Sequence, residues 1–277
     1  MPLSRRAKRT LSRLLAPAEQ RARVERAAYP DAGHGYDALG LEPASFELAM
    51  AAAWPLYRYY FRVQSHDAVN VPSTGAVIVA ANHSGMLPID AALLSVDLFH
   101  RTRPPRIPRV IGDLFIPFMP WFGTAMTRAG MVSGARANVR YLLEQGELVV
   151  VFPEGTPGIG KGFSRRYQLS DWRVGHVELA LAHGAPIVPV GIVGAEECWP
   201  QIARIDSFHG FGAPFLPIPA TPLPLPVKVH VYYGEPLRLG RGGADDPETV
   251  RAGAERVKSA VARLLERGLR ERRGWFS

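Results

Sequence analysis

Two short stretches hold side chains whose type and spacing could do chemistry. In the first, Gly75-Ala76-Val77-Ile78-Val79-Ala80 is an apolar, β-branched run that predicts a buried strand. It runs into Ala81-Asn82-His83-Ser84-Gly85-Met86-Leu87-Pro88-Ile89-Asp90. His83 therefore sits at a strand C-terminus, where open α/β sheets place their sites. Pro88 suits the first turn of a helix over Ala91–Leu98, which sets Asp90 in that turn, facing the His83 loop. A histidine with a carboxylate in reach can take a proton from a weak nucleophile. The plainer alternative is a loop that caps a helix, with Asp90 favoured only by the helix dipole.

The second stretch begins with Leu148-Val149-Val150-Val151-Phe152, another expected buried strand. It ends in Pro153-Glu154-Gly155-Thr156-Pro157-Gly158-Ile159-Gly160-Lys161. The two strand-end motifs, about seventy residues apart, resemble those of the glycerolipid (lysophospholipid) acyltransferase family. Ile187–Ile192, with its Pro189, is similar to that family's late strand, and Gly130 to Arg136 resembles its middle motif. Trp172 to Ala180 followed by Gly184-Ala185-Pro186 looks most like the monoacylglycerol/diacylglycerol acyltransferase-like branch. The resemblance covers residues 70–237. Six residues separate His83 from Asp90, where the common family pattern has four. Longer spacings with a Gly-Leu-Pro-like insert occur in that branch, so Asp90 is kept as the partner.

The resemblance implies an acyl-thioester donor, acyl-CoA or an acyl carrier protein, as co-substrate with no bound cofactor. It implies a glycerolipid hydroxyl as acceptor, His83 as general base and Asp90 as the acid that orients it. Pro153, Glu154, Gly155 and Thr156 would contact substrate, with Arg136, or alternatively Arg128, as an anion anchor. Backbone N–H groups near Gly155 or Gly85 are candidate donors to the oxyanion. Lys161 lies in a glycine-rich loop with Arg165 and Arg166. Such a loop can cradle a phosphate or a coenzyme A diphosphate, or simply be a solvated basic loop; Walker P-loop spacing is absent.

These motifs need positioning elements, and strands alternating with helices supply them. The expected fold is α/β, a mainly parallel central sheet flanked by helices, with membrane-associating helices at the N-terminus. Residues 1–69 would hold basic and aromatic amphipathic helices with a linker over 29–44, and residues 70–277 the catalytic domain. Residues 3–28 show leucines at helical spacing among arginines, interrupted by Pro17, and fit either a membrane-surface helix or a solvated tail. Phe46–Val63 is helix-prone and aromatic, with Pro55 expected to break it. Leu114–Gly123 is the most apolar stretch, suited to an acyl-tunnel wall, a bilayer edge or ordinary core. Phe211–Pro226, rich in proline, reads as an extended surface lobe. A last helix should start at Asp246-Pro247 and bury Val250, Val257, Val261, Leu264 and Leu265.

At 277 residues with 47% hydrophobic composition, the chain is long and apolar enough for a sizeable core. Its single cysteine, Cys198, excludes an internal disulfide and a cysteine-based zinc site. The scattered histidines suggest no metal. The net charge of +8 is uneven: residues 1–28 hold eight cations against two acids, and residues 251–277 eight against three. The middle of the chain is therefore slightly acidic. Basic ends suit an anionic membrane surface. Nucleic acid is disfavoured, because no binding motif is present. A serine hydrolase lacks its G-x-S-x-G elbow. No run of about twenty apolar residues occurs, and no signal-peptide pattern. The expected place is the cytoplasmic side of a membrane, bound peripherally to lipids, with acyl-CoA as the other partner. A catalytically silent lipid-binding member of the same fold is the competing reading.

Overall fold

The computed structural model describes residues 4–84, 88–207, 210 and 215–276. In chain order the first elements are α1 (Arg5–Leu15), α2 (Ala18–Arg26), α3 (Pro43–Pro55), β1 (Gln64–His66), β2 (Val77–Ala81) and α4 (Ile89–Arg101). Then come β3 (Pro108–Gly112), α5 (Phe122–Arg128), β4 (Val132–Ser133), α6 (Arg136–Glu144), β5 (Leu148–Val151) and α7 (Thr156–Ile159). The chain continues through α8 (Gly175–His183), β6 (Ile187–Val193), α9 (Ala195–Cys198), β7 (Gln201–Ile205) and β8 (Leu216–Pro219). It closes with β9 (His230–Tyr233) and α10 (Pro247–Glu271).

Seven strands form one sheet in the order β1-β9-β6-β2-β5-β3-β4. Every neighbouring pair is parallel except β6–β9, which is antiparallel. Strands β2 and β6 are buried throughout, which is why their sequences are continuous apolar runs without alternation. Alternate residues feed two cores. Val77, Val79, Val150 and Val190 pack with Leu94, Leu98 and Phe99 of α4 and Phe46 and Met50 of α3. Ile78, Ala80 and Val149 pack on the other face with Leu142 of α6, Val177 of α8 and Val257 of α10. Asp246 caps α10, accepting from the N–H groups of Glu248 and Thr249, and Val250, Val257, Val261 and Leu265 are buried as their spacing predicts.

The N-terminal region departs from its sequence reading in two ways. Residues 29–44 are not a free linker. Asp37 accepts the N–H groups of Leu39 and Leu41 at 2.9 and 2.8 Å, and its carboxylate pairs with Arg109 of β3, both groups buried. A turn-rich segment that satisfies its own backbone and neutralises its charge can be packed as tightly as a helix. The helix expected over 3–28 is two helices, α1 and α2, split before Ala18 by Pro17. Helix α1 lies on α3 through its polar side. Arg5 and Lys8 pair with the buried Glu42, and Ser12 bonds Glu47. Leu11, Leu14 and Leu15 face outward. Helix α2 sends Arg23 to the carbonyls of Phe99 and Thr102 at the end of α4, at 2.6 and 2.8 Å. A cation there satisfies open carbonyls and the negative end of the helix dipole.

Pro55 ends α3 as expected, and a single π-helical turn, Leu56–Tyr60, follows it. This turn aims Tyr57 at Asp97 of α4, whose carboxylate also accepts from Ser65 and Tyr233. Strand β1 and helix α3, both ahead of residue 70, are thereby joined to the sheet and its core. The Leu114–Gly123 stretch is not core: Leu114, Phe118, Trp121 and Phe122 are all exposed. Two prolines prevent a continuous helix, leaving a 3-10 turn at Ile116–Phe118 before α5. Within the proline-rich lobe, Leu216–Pro219 pairs with β7 as a two-stranded antiparallel ribbon; residues 211–214 lie outside the described residues.

Candidate active site

The parallel strands β2 and β5 are adjacent and end on the same side, so their two motifs meet. Asn82 continues β2 beyond its last residue by bonding β6 with its side chain. Its amide donates to the Ile192 carbonyl at 3.1 Å and accepts the Ile192 N–H at 2.7 Å. This anchor fixes the departure angle of His83. The imidazole stacks on the Phe152 ring at the end of β5, with centroids 4.3 Å apart. Its Nδ1 lies 2.7 Å from Oδ2 of Asp90 in the first turn of α4. Asp90 is fully buried and accepts the N–H groups of Ser84 and Ala91, each at 2.8 Å. The six-residue spacing thus delivers the carboxylate to the imidazole. The Gly85-Met86-Leu87 segment between them lies outside the described residues.

With Nδ1 occupied by Asp90, Nε2 is the nitrogen left for proton transfer, and no described residue bonds it. Burial is the largest influence on His83 and disfavours its charge. The charge and hydrogen bond of Asp90, with Glu154 and Asp113 behind them, outweigh it and raise the imidazole above its ordinary 6.5. Such a pair can act as a general base with a held tautomer.

The FPEGT segment supports the dyad from below. Glu154 is buried, and both carboxylate oxygens are engaged. One accepts the His83 backbone N–H at 3.0 Å, the other the Ser170 N–H at 2.8 Å and the Lys161 ammonium at 3.1 Å. Lys161 also faces Glu196 at 3.5 Å, and its side chain is almost wholly buried. Burial pushes the Glu196 carboxyl up to about 7 against the pull of Lys161 and of the Tyr167 N–H. The charge of Lys161 is therefore committed inside the protein and does not line a solvent-facing phosphate cradle. Gly155 has φ +57°, a conformation that suits glycine, and its N–H donates to the Phe152 carbonyl at 2.9 Å. That N–H is spent on the turn. Pro153 is buried, and its carbonyl accepts the Arg173 N–H at 2.9 Å.

Thr156 donates to Asp113 at 2.7 Å, and Asp113 in turn pairs with Arg173 at 3.2 Å. The Arg173 guanidinium lies over Gly155, where an added Cβ would come within 2.8 Å of it. Asp113, Arg173 and Glu196 had not been singled out in the sequence. Asp113 had a usable signal, since it directly follows β3, a third parallel strand ending on the same side. Arg173 lies within the Trp172–Ala180 stretch that carries the family resemblance but was given no role, and Glu196 had no signal, because a contact across distant loops leaves no local pattern.

Arg136 starts α6, pairs with Glu178 of α8 at 2.7 Å and lines a cavity of about 340 Å³ with Val174, Asp245 and Arg251. That cavity is not lined by His83, Asp90, Glu154 or Thr156. Arg128 lies 3.8 Å over the Tyr36 ring and reaches the Gly40 carbonyl, where it braces the 36–40 turn. Among the described residues no group of three or more His, Cys, Asp or Glu side chains is placed to hold a metal. Cys198 is buried, and burial raises its thiol to about 12.

The Acyltransferase family profile matches residues 62–193, which contain both motifs. An uncharacterized protein of Mycobacterium tuberculosis, Rv0502, is 35% identical over 260 residues, covering 88% of this chain and 72% of its own length. The human protein described as a DGAT1/2-independent enzyme synthesizing storage lipids is 26% identical, covering 78% of this chain and 63% of its own length. The crystal structure of the 1-acyl-sn-glycerophosphate (LPA) acyltransferase PlsC from Thermotoga maritima superposes with a TM-score of 0.58 at 19% identity, over 83% of each chain. The chain belongs to the acyltransferase family.

Proposed function

We propose that this protein moves a fatty acyl group from an acyl thioester, acyl-CoA in the first instance, to a hydroxyl of a glycerolipid or similar lipid at a membrane surface. The observation that carries the reading is the buried 2.7 Å contact between His83 Nδ1 and Asp90, at the C-terminal end of a parallel strand. His83 Nε2 takes the proton of the acceptor hydroxyl as that oxygen attacks the thioester carbonyl. Asp90 holds the tautomer and stabilises the imidazolium. Collapse of the tetrahedral intermediate breaks the carbon–sulfur bond, and the imidazolium returns the proton to the leaving thiolate. No covalent enzyme intermediate is required. Glu154 acts by fixing the His83 backbone and not by touching the acceptor.

A peripheral membrane position is supported by the outward leucines of α1 and by the exposed Leu114, Phe118 and Trp121. Among the described residues no helix is long and apolar enough to cross a membrane. The similarity to an enzyme described as synthesizing storage lipids favours a glycerolipid acceptor. The test is lipid mass spectrometry of membranes incubated with purified protein and labelled acyl-CoA. A labelled lipid ester formed in proportion to enzyme is the expected result. Release of free labelled fatty acid alone would replace transfer with hydrolysis. No turnover with any thioester would favour a silent lipid-binding protein.

A further inference from the structure

Among the described residues, two cations touch the FPEGT residues themselves, and each is neutralised by the protein. Lys161 is buried between Glu154 and Glu196. Arg173 lies over Gly155 and pairs with Asp113, and its side chain remains 65% exposed while that of Asp113 is 22% exposed. The carboxylates that act on His83 are Asp90, Glu154 and Asp113; Lys161 pairs with Glu154 and Arg173 with Asp113. Among the described residues, Arg173 combines contact with the FPEGT turn and access to solvent. Its charge meets Asp113, whose other oxygen is occupied by Thr156.

Resting on the acyl-transfer reading, we infer that the Asp113–Arg173 pair sets the charge preference of the acceptor. With its guanidinium held by Asp113, the site favours an uncharged lipid hydroxyl over one carrying a phosphate monoester. An unpaired guanidinium at this place would attract a phosphate through charge-assisted hydrogen bonds. An unpaired Asp113 would repel one. The two members of the pair therefore act on selectivity in opposite directions, which a purely structural salt bridge would not do.

The experiment measures dissociation constants of the full-length protein for a short-chain lysophosphatidic acid and for the monoacylglycerol of the same chain length. Wild type, Asp113→Asn, Arg173→Gln and the double variant are compared, with labelled acyl transfer to each lipid measured alongside. Asparagine keeps the shape of Asp113 and an oxygen for Thr156. Wild type is expected to bind the neutral lipid more tightly. Asp113→Asn is expected to shift the ratio toward the phosphate-bearing lipid by at least about fivefold, the scale of one charge contact in a wet site. Arg173→Gln should shift it the other way, and the double variant should return toward wild type. A wild type that prefers the phosphate-bearing lipid overturns the proposal, as do shifts of the same sign or no shift. Opposite shifts in binding without acyl transfer to either lipid would uphold the role of the pair and overturn the acyl-transfer reading instead. Should Asp113→Asn fail to fold, Arg173→Gln alone decides: any gain in relative affinity for the phosphate-bearing lipid, or no change, overturns the proposal.

Discussion

His83 is subject to two opposing electrostatic effects, and their balance fixes a pH window. Desolvation would lower its affinity for a proton; Asp90, Glu154 and Asp113 raise it further than burial lowers it. A raised folded value makes the His83–Asp90 contribution to stability full below the unfolded value near 6.5 and lost as pH rises through the folded value. Activity runs the opposite way, because the base works only when neutral. The acid limb of the pH–rate profile is expected above 6.5, higher than a bare histidine would place it. Asp90→Asn should cut transfer by at least about a hundredfold and move that limb to lower pH. Steady-state rates across the pH range, with chemistry rate-limiting, check this. An unmoved limb in a folded Asp90→Asn variant would show that the carboxylate does not govern the imidazole.

At the scale of elements, the short helix α7 braces the site. A Cβ at Gly158 would lie 3.0 Å from the His83 Cβ and 2.7 Å from the Glu154 Cβ. Gly158→Ala should therefore displace the base and lower turnover more than it lowers the melting temperature, measured on one preparation. Equal activity in that variant would mean that the turn gives way easily. Helix α1 packs on the fold through its polar stripe. Its spacing was legible, but which stripe packs inward depends on Glu42 and Glu47 of a neighbouring element. The polar stripe is inward and the leucines outward. Replacing Leu14, 78% exposed, with serine should weaken vesicle binding while leaving the melting temperature nearly unchanged. Co-sedimentation with vesicles checks this. Unchanged binding would assign anchoring to Phe118 and Trp121.

Over the whole molecule, the basic ends are not uniformly free. Of the eight cations in residues 1–28, Arg5, Lys8, Arg21 and Arg23 are engaged in the fold, while Arg6, Arg9, Arg13 and Arg26 remain exposed. Each exposed cation is worth about 1 kcal/mol near an anionic bilayer. Binding to anionic vesicles is expected to fall as salt rises, but to leave a salt-resistant part carried by the leucines and Trp121. Binding equal at low and high salt would remove the arginines from the account. Deletion of residues 1–28 is a poorer test, because it also strips Glu42 and the end of α4 of their partners. The sheet and the dyad were legible because buried parallel strands are continuous apolar runs and because both motifs sit at strand ends. Lys161 was read as part of a phosphate-cradling or solvated basic loop, since sequence gives its charge and not its burial between Glu154 and Glu196. The packed 29–44 segment was misread for the same kind of reason: the Asp37–Arg109 pair joins positions far apart in the chain.

The most direct measurement is labelled acyl transfer from acyl-CoA to membrane glycerolipid by wild type and His83→Ala, both confirmed folded by circular dichroism. Wild type is expected to form the labelled ester, and the variant to form it at least about a hundredfold more slowly, the usual scale for loss of a general base. Turnover by a folded His83→Ala protein near the wild-type rate would contradict His83 as the base.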